Sequence, residues 1–102
     1  MNKDSVLVLA TVVAKPGSEH DVHERFSKLV MESRTESGCV SYDLYVSNDD
    51  AATYVSVEQW TGPQALQEHM ARPNVQSAIG GIGPLVAKPP TILTYRMITD
   101  PA

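Results

Sequence analysis

The chain has 102 residues, of which 42% are hydrophobic and 20% charged, with a formal net charge of −4 and a pI near 5.2. That length supports one hydrophobic core and not two, so a single domain over residues 1–102, with its core at about 5–98, is expected. Its few Lys and Arg are scattered, which excludes the clustered basic surface that nucleic acid requires and disfavours an anionic membrane.

The longest apolar run, Val6 to Ala14, is interrupted by Thr11 and falls far short of the roughly 20 residues that span a bilayer. It carries no basic leader and no cleavage site. Cys39 is the single cysteine, which excludes an internal disulfide and a thiolate metal cluster. A soluble cytoplasmic protein is expected.

The first strand is predicted from Ser5 to Lys15. Val6, Val8, Ala10 and Val12 lie on one face and Leu7, Leu9, Thr11 and Val13 on the other, so both faces call for cover. Pro16-Gly17 ends it, and Ser18 with Asp21 offers a capping pair for a helix over Glu19 to about Glu36. Val22, Phe26, Leu29, Val30 and Ser33 share one arc of that helix at the helical period. Gly38 suits the left-handed position beyond its end.

The second strand starts at about Cys39, with Val40, Tyr42, Leu44 and Val46 opposite Cys39, Ser41, Asp43 and Tyr45. Asn48-Asp49-Asp50 supplies a turn into a third strand, Ala52 to Trp60, so the two strands read as an antiparallel hairpin. Tyr54, Ser56, Glu58 and Trp60 share one side of the third strand. Thr61 and Gln64 form a T-x-x-Q capping box, and Pro63 opens a second helix whose inward arc holds Ala65, Leu66, His69 and Met70. After Arg72-Pro73-Asn74, Val75, Ile79, Ile82 and Val86 keep to one helical face. Gly80, Gly81, Gly83 and Pro84 predict that this helix ends or breaks near Gly80 to Gly83. Lys88-Pro89-Pro90 leads into a last strand, Thr91 to Ile98, and Asp100-Pro101-Ala102 is expected to fray.

The order β-α-β-β-α(α)-β is that of an α+β, ferredoxin-like domain, with both helical layers on one face of a four-stranded antiparallel sheet. The two-faced apolar first strand then needs a second covering layer, and a homodimer packing sheet against sheet supplies it.

Chemistry concentrates between Tyr54 and Met70. Trp60 is suited to anchoring a core or to walling an aromatic ligand with its N–H as donor. His69, on an inward arc, fits a silent hydrogen-bonded histidine or an acid–base group. Glu58, on the face of Trp60, is placed to orient an imidazole or to pair with a cross-strand base. His20 and His23 have H-x-x-H spacing, but they point away from the buried arc beside Glu19, Asp21 and Glu24, so a solvated helix start is favoured and no metal is expected. Cys39 reads as a small buried residue rather than a nucleophile. Tyr42, Tyr45, Tyr54 and Tyr95 offer phenols for packing or for a cavity. Gly80-Gly81-Ile82-Gly83 has no strand before it, so neither a phosphate loop nor a dinucleotide fingerprint is present, and no flavin, nicotinamide or other cofactor is indicated.

The sequence resembles the antibiotic biosynthesis monooxygenase domain, the group of small quinol monooxygenases and their relatives. The resemblance lies in Val13-Ala14-Lys15-Pro16-Gly17, Glu36-Ser37-Gly38-Cys39-Val40-Ser41-Tyr42, Glu58-Gln59-Trp60, Ala65-Leu66-Gln67-Glu68-His69 and Arg72-Pro73-Asn74-Val75, and it covers nearly the whole chain. It implies a dimeric α+β barrel with a pocket between sheet and helices. It also implies oxidation of a small aromatic quinol or polyphenol by O2 with no metal or flavin. On that resemblance the catalytic residues are His69 as proton acceptor or donor, Glu58 as its orienter, and Trp60 as donor and pocket wall. Tyr42, Tyr54, Phe26 and Leu66 would line the substrate site. Haem-degrading relatives use a strand-one asparagine that this chain lacks. Two other functions fit the same fold: an isomerase or processing enzyme for a small oxygenated metabolite, and a non-catalytic ligand-binding dimer.

Overall fold

Strand β1 (Val6–Val13) runs through the middle of the molecule and settles the question of its two faces. Val8, Ala10 and Val12 are buried, while Leu7, Leu9, Thr11 and Val13 are only half-buried, so the helices cover one side alone. The computed structural model describes residues 2–100, and the fraying expected at Pro101-Ala102 lies outside them. After β1 come α1 (Glu19–Ser33), β2 (Cys39–Val46), β3 (Thr53–Trp60), α2 (Pro63–Ala71), α3 (Pro73–Ile82), a 3-10 turn at Gly83–Leu85 and β4 (Thr91–Arg96). The sheet order is β2-β3-β1-β4 with every neighbouring pair antiparallel. This is the ferredoxin-like α+β architecture expected from the element order.

On the helix side, Val22, Phe26, Leu29, Val30 and Ser33 of α1 are buried against β1 and against Tyr54, Ser56, Glu58 and Trp60 of β3. Burying a side chain such as Phe26 contributes about 2–3 kcal/mol. Val75 and Ile82 of α3 close the core at one end.

Several local expectations are corrected. α1 stops at Ser33, three residues before Glu36, because the Thr35 hydroxyl donates to the Glu32 carbonyl at 2.7 Å and competes with the helical ladder. Arg34 leaves the helix to bind β2, its Nε donating to the Tyr42 carbonyl at 2.8 Å and its Nη2 to Asp43 at 2.9 Å. Gly38 is not left-handed. Gly17, at φ 89, is the one residue with positive φ among those described. Gly38 is required for space: a Cβ there would lie 2.5 Å from Ala65 Cβ on α2.

Neither capping pair forms. Pro63 occupies the first helical position, so the residue before it must be extended. Gly62 therefore becomes the cap, leaving Thr61 one residue too early. The same rule at Pro73 holds Arg72 extended (φ −67, ψ 137) between α2 and α3. α3 runs through Gly80 and Gly81 and ends at Ile82, where Gly83 and Pro84 tighten the chain into the 3-10 turn.

A bulge between Cys39 and Ser41 changes the face of β2's first residues. Cys39 pairs with Trp60 and Tyr42 with Glu58, so Cys39 shares Tyr42's side, and Val40 is left half exposed at 49%.

Candidate functional site

Between the sheet and α3 lies a cavity of about 70 Å³. Val8, Ala10, Val12, Phe26, Val75 and Ile82 make most of its wall apolar, and Ile79 and Ile92, which line it while partly exposed, mark its mouth. Tyr42, Glu58 and His69 also line it, from three different elements. The cross-strand register places Tyr42 directly beside Glu58, and α2 presents His69 as its one buried residue, 2% exposed.

The His69 ring is fixed by its neighbours. It lies 4.3 Å from the Trp60 ring at 35° and 5.9 Å from Tyr42, centroid to centroid, while Tyr42 meets Trp60 edge-on at 88°. Its Nδ1 is 2.8 Å from Glu36 Oε2. The other carboxylate oxygen of Glu36 is 3.0 Å from Arg72 Nε. Glu36 is thus the partner of His69, in place of the expected Glu58. The turn after α1 brings it there, and Glu58 is engaged elsewhere: it accepts from Ser56 Oγ at 2.8 Å and from Trp60 Nε1–H at 3.1 Å.

No local signal in the sequence pointed to Glu36, which lies 33 positions from His69 along the chain.

The remaining expected site residues divide. Phe26 and Tyr42 line the cavity. Trp60 is wholly buried behind His69 and Glu58, so its N–H serves Glu58 and not the cavity. Leu66 packs against the core without reaching the cavity. Tyr54 faces a separate groove near His23, its hydroxyl donating to the Glu19 carbonyl at 3.2 Å. His20 reaches Glu24 at 3.4 Å on an open surface, and among the described residues no group of three His, Cys, Asp or Glu is arranged to hold a metal.

Burial, reinforced by the Glu58 charge, pushes the Tyr42 phenol far above its ordinary range. It therefore stands as a neutral phenol at the cavity wall. Burial also raises the Cys39 thiol, with the Glu36 and Glu58 charges adding to it, which suppresses the thiolate. No helix among the described residues is long and apolar enough to cross a membrane.

The protein is similar in sequence to "Putative monooxygenase Rv0793" of Mycobacterium tuberculosis, at 29% identity over 95 residues covering 93% of each chain. It is also similar to the uncharacterized protein sll1783 of Synechocystis, at 26% identity over 92% of this chain, which spans 64% of that relative's length. The solved structure of Rv0793 superposes with a TM-score of 0.90 at 26% identity, over 96% of this chain and 99% of that one. Protein SO0527 of Shewanella oneidensis superposes with a TM-score of 0.88 at 27% identity, over 94% and 93%. Residues 5–80 match the family model of the antibiotic biosynthesis monooxygenases. That match takes in β1, α1, the β2–β3 hairpin, α2 and most of α3, so the segments that build the cavity's polar end are the segments by which this chain belongs to the antibiotic biosynthesis monooxygenase family.

Proposed function

We propose that the protein is a cofactor-independent monooxygenase that oxidises a small aromatic quinol or polyphenol with O2. The observation that carries this reading is the cavity itself: an apolar slot lined at one end by Tyr42, whose phenol stays neutral, by the buried Glu58, and by His69, whose Nδ1 alone is engaged by Glu36. Such aliphatic walls suit a flat apolar ring, and its hydroxyl would turn toward the end of the cavity formed by Tyr42 and His69.

With Nδ1 bound to Glu36, Nε2 of His69 is the nitrogen left to take the phenol proton. The resulting phenolate is electron-rich and gives its electrons to O2. One oxygen atom enters the ring and the other leaves as water, so a quinol and O2 yield a hydroxyquinone and one water with no outside reductant. The apolar walls keep bulk water from the anion while it reacts.

The working unit in this reading is a homodimer. Leu7, Leu9, Val55 and Val57 are half-buried on the face away from the helices, and Leu93 and Tyr95 are 48% and 45% exposed beside them. A second sheet laid on that face buries them.

The test is O2 uptake with a panel of quinols in metal-chelated buffer. His69→Ala is expected to lower the rate by about 10²-fold or more. Turnover under strict anaerobiosis would point to an isomerase instead. Quenching of Trp60 fluorescence by ligand without product would point to a binding protein. Uptake undiminished in His69→Ala would remove His69 from the chemistry.

A further inference from the structure

We infer that Glu36 is the positioning residue of this site, selecting the tautomer of His69 that keeps a lone pair on Nε2; the inference rests on the reading of His69 as the proton acceptor.

Three elements converge on one carboxylate. Glu36 comes from the turn between α1 and β2, His69 from α2, and Arg72 from the extended link between α2 and α3. The His69 and Glu36 side chains are 3% and 6% exposed, whereas that of Arg72 is 50% exposed. The buried contact is therefore the imidazole–carboxylate pair, and the guanidinium closes it from the solvent side.

Arginine can only donate, so Glu36 Oε1 accepts from Arg72 at 3.0 Å, and the adjacent guanidinium charge favours the ionised carboxylate over its protonated form. A carboxylate in turn can only accept, which requires the hydrogen on Nδ1 of His69. In the neutral ring the lone pair then lies on Nε2, because the partner of one imidazole nitrogen decides the state of the other. The Trp60 and Tyr42 rings pack against the imidazole, so the ring cannot exchange its nitrogens by turning over without disturbing that packing. Once Nε2 has taken a proton, the same carboxylate faces the imidazolium and stabilises it.

Glu36→Gln is nearly isosteric but offers an amide N–H to Nδ1, which admits the tautomer with hydrogen on Nε2 and no acceptor for a phenol. The tautomer is read directly from the ring-nitrogen chemical shifts of 15N-histidine-labelled full-length protein, with His69 assigned by its loss in His69→Gln. The wild-type protein is expected to show Nδ1–H, and Glu36→Gln a mixture or Nε2–H. On a quinol substrate, kcat should fall by about 10²-fold or more in Glu36→Gln with KM nearly unchanged. Glu36→Asp, which keeps the carboxylate, should recover part of the loss. Arg72→Gln, which removes the charge partner and leaves the carboxylate, should keep the wild-type tautomer.

Wild-type protein with hydrogen on Nε2 overturns the inference, even if Glu36→Gln fails to fold. So does an unchanged tautomer in Glu36→Gln, or equal kcat losses in Glu36→Gln and Arg72→Gln, since the pair would then be a structural ion pair alone. Because the tautomer is measured without substrate, it stands apart from the enzymatic reading, which fails separately if His69→Ala keeps full O2 uptake.

Discussion

Replacing Gly38 by alanine puts a methyl group where α2 already stands. The new Cβ falls 2.5 Å from Ala65 Cβ and 3.4 Å from Thr61 Oγ1, whereas carbon atoms in contact settle at about 3.5–4.0 Å. An alanine has no torsion that moves its methyl aside, so the α2 backbone must retreat by roughly 1 Å. Overpacking of that order costs about 1–3 kcal/mol, equivalent in a domain of this size to a Tm lowered by roughly 5–20 °C. His69 sits one helical turn beyond Ala65, so the same retreat stretches its 2.8 Å contact with Glu36 past hydrogen-bond range. If His69 takes the proton as proposed, its displacement by about 1 Å costs up to about 10²-fold in rate. Thermal unfolding by circular dichroism and O2 uptake by the same protein measure both effects. Adding Ala65→Gly removes the methyl that is struck. The double variant should regain activity while losing about 1 kcal/mol of helix propensity, which makes the pair strongly non-additive. A Gly38→Ala protein with wild-type Tm and rate, or losses that simply add in the double variant, would refute this account.

Trp60→Phe removes the indole N–H that donates to the buried Glu58 carboxylate at 3.1 Å. It should cost about 1–3 kcal/mol in urea unfolding, and a change below about 0.5 kcal/mol would show that Glu58 does not depend on that donor. Asp50 accepts from the Ala52 N–H and the Thr53 hydroxyl in the β2–β3 turn, and these bonds hold its carboxyl below the usual range. Its folded value lies below its unfolded one, so its contribution to stability is present above the unfolded pKa and is lost as pH falls through the folded value. Asp50→Ala should accordingly flatten the acid limb of the stability–pH curve, and an unaltered acid limb would count against the turn as its source.

Much of the architecture follows from local pattern. Alternation in Val6–Val13 and Thr53–Trp60, helical spacing from Val22 to Ser33, and breakers at Pro16-Gly17, Pro63, Pro73 and Gly83 reproduce the elements to within a few residues, because steric limits on the backbone and side-chain periodicity act over a few positions. The inward phase of His69 and the grouping of Glu58 with Trp60 are of this kind. Features that depend on atoms from distant segments were not legible in this way. Whether Tyr54 reaches the cavity depends on where α1 crosses the sheet, and its hydroxyl ends on Glu19, 35 positions away. The capping pairs at Ser18 and Thr61 have the right letters, but at Thr61 the helix start is set by Pro63, which outweighs a side-chain hydrogen bond.

The order of strands and helices, the buried arc of α1 and the inward face of β3 are thus properties of the sequence by itself, since each residue's part in them is decided by its neighbours in the chain. Which carboxylate meets His69 is decided by the tertiary structure alone. Glu58 lies 11 positions from His69 and Glu36 lies 33 away, yet Glu58 is held by Ser56 and Trp60, while a glycine small enough to admit α2 lets the turn carrying Glu36 close on the imidazole. A buried carboxylate goes to the donors that the packed fold brings to it, and distance along the chain does not report them.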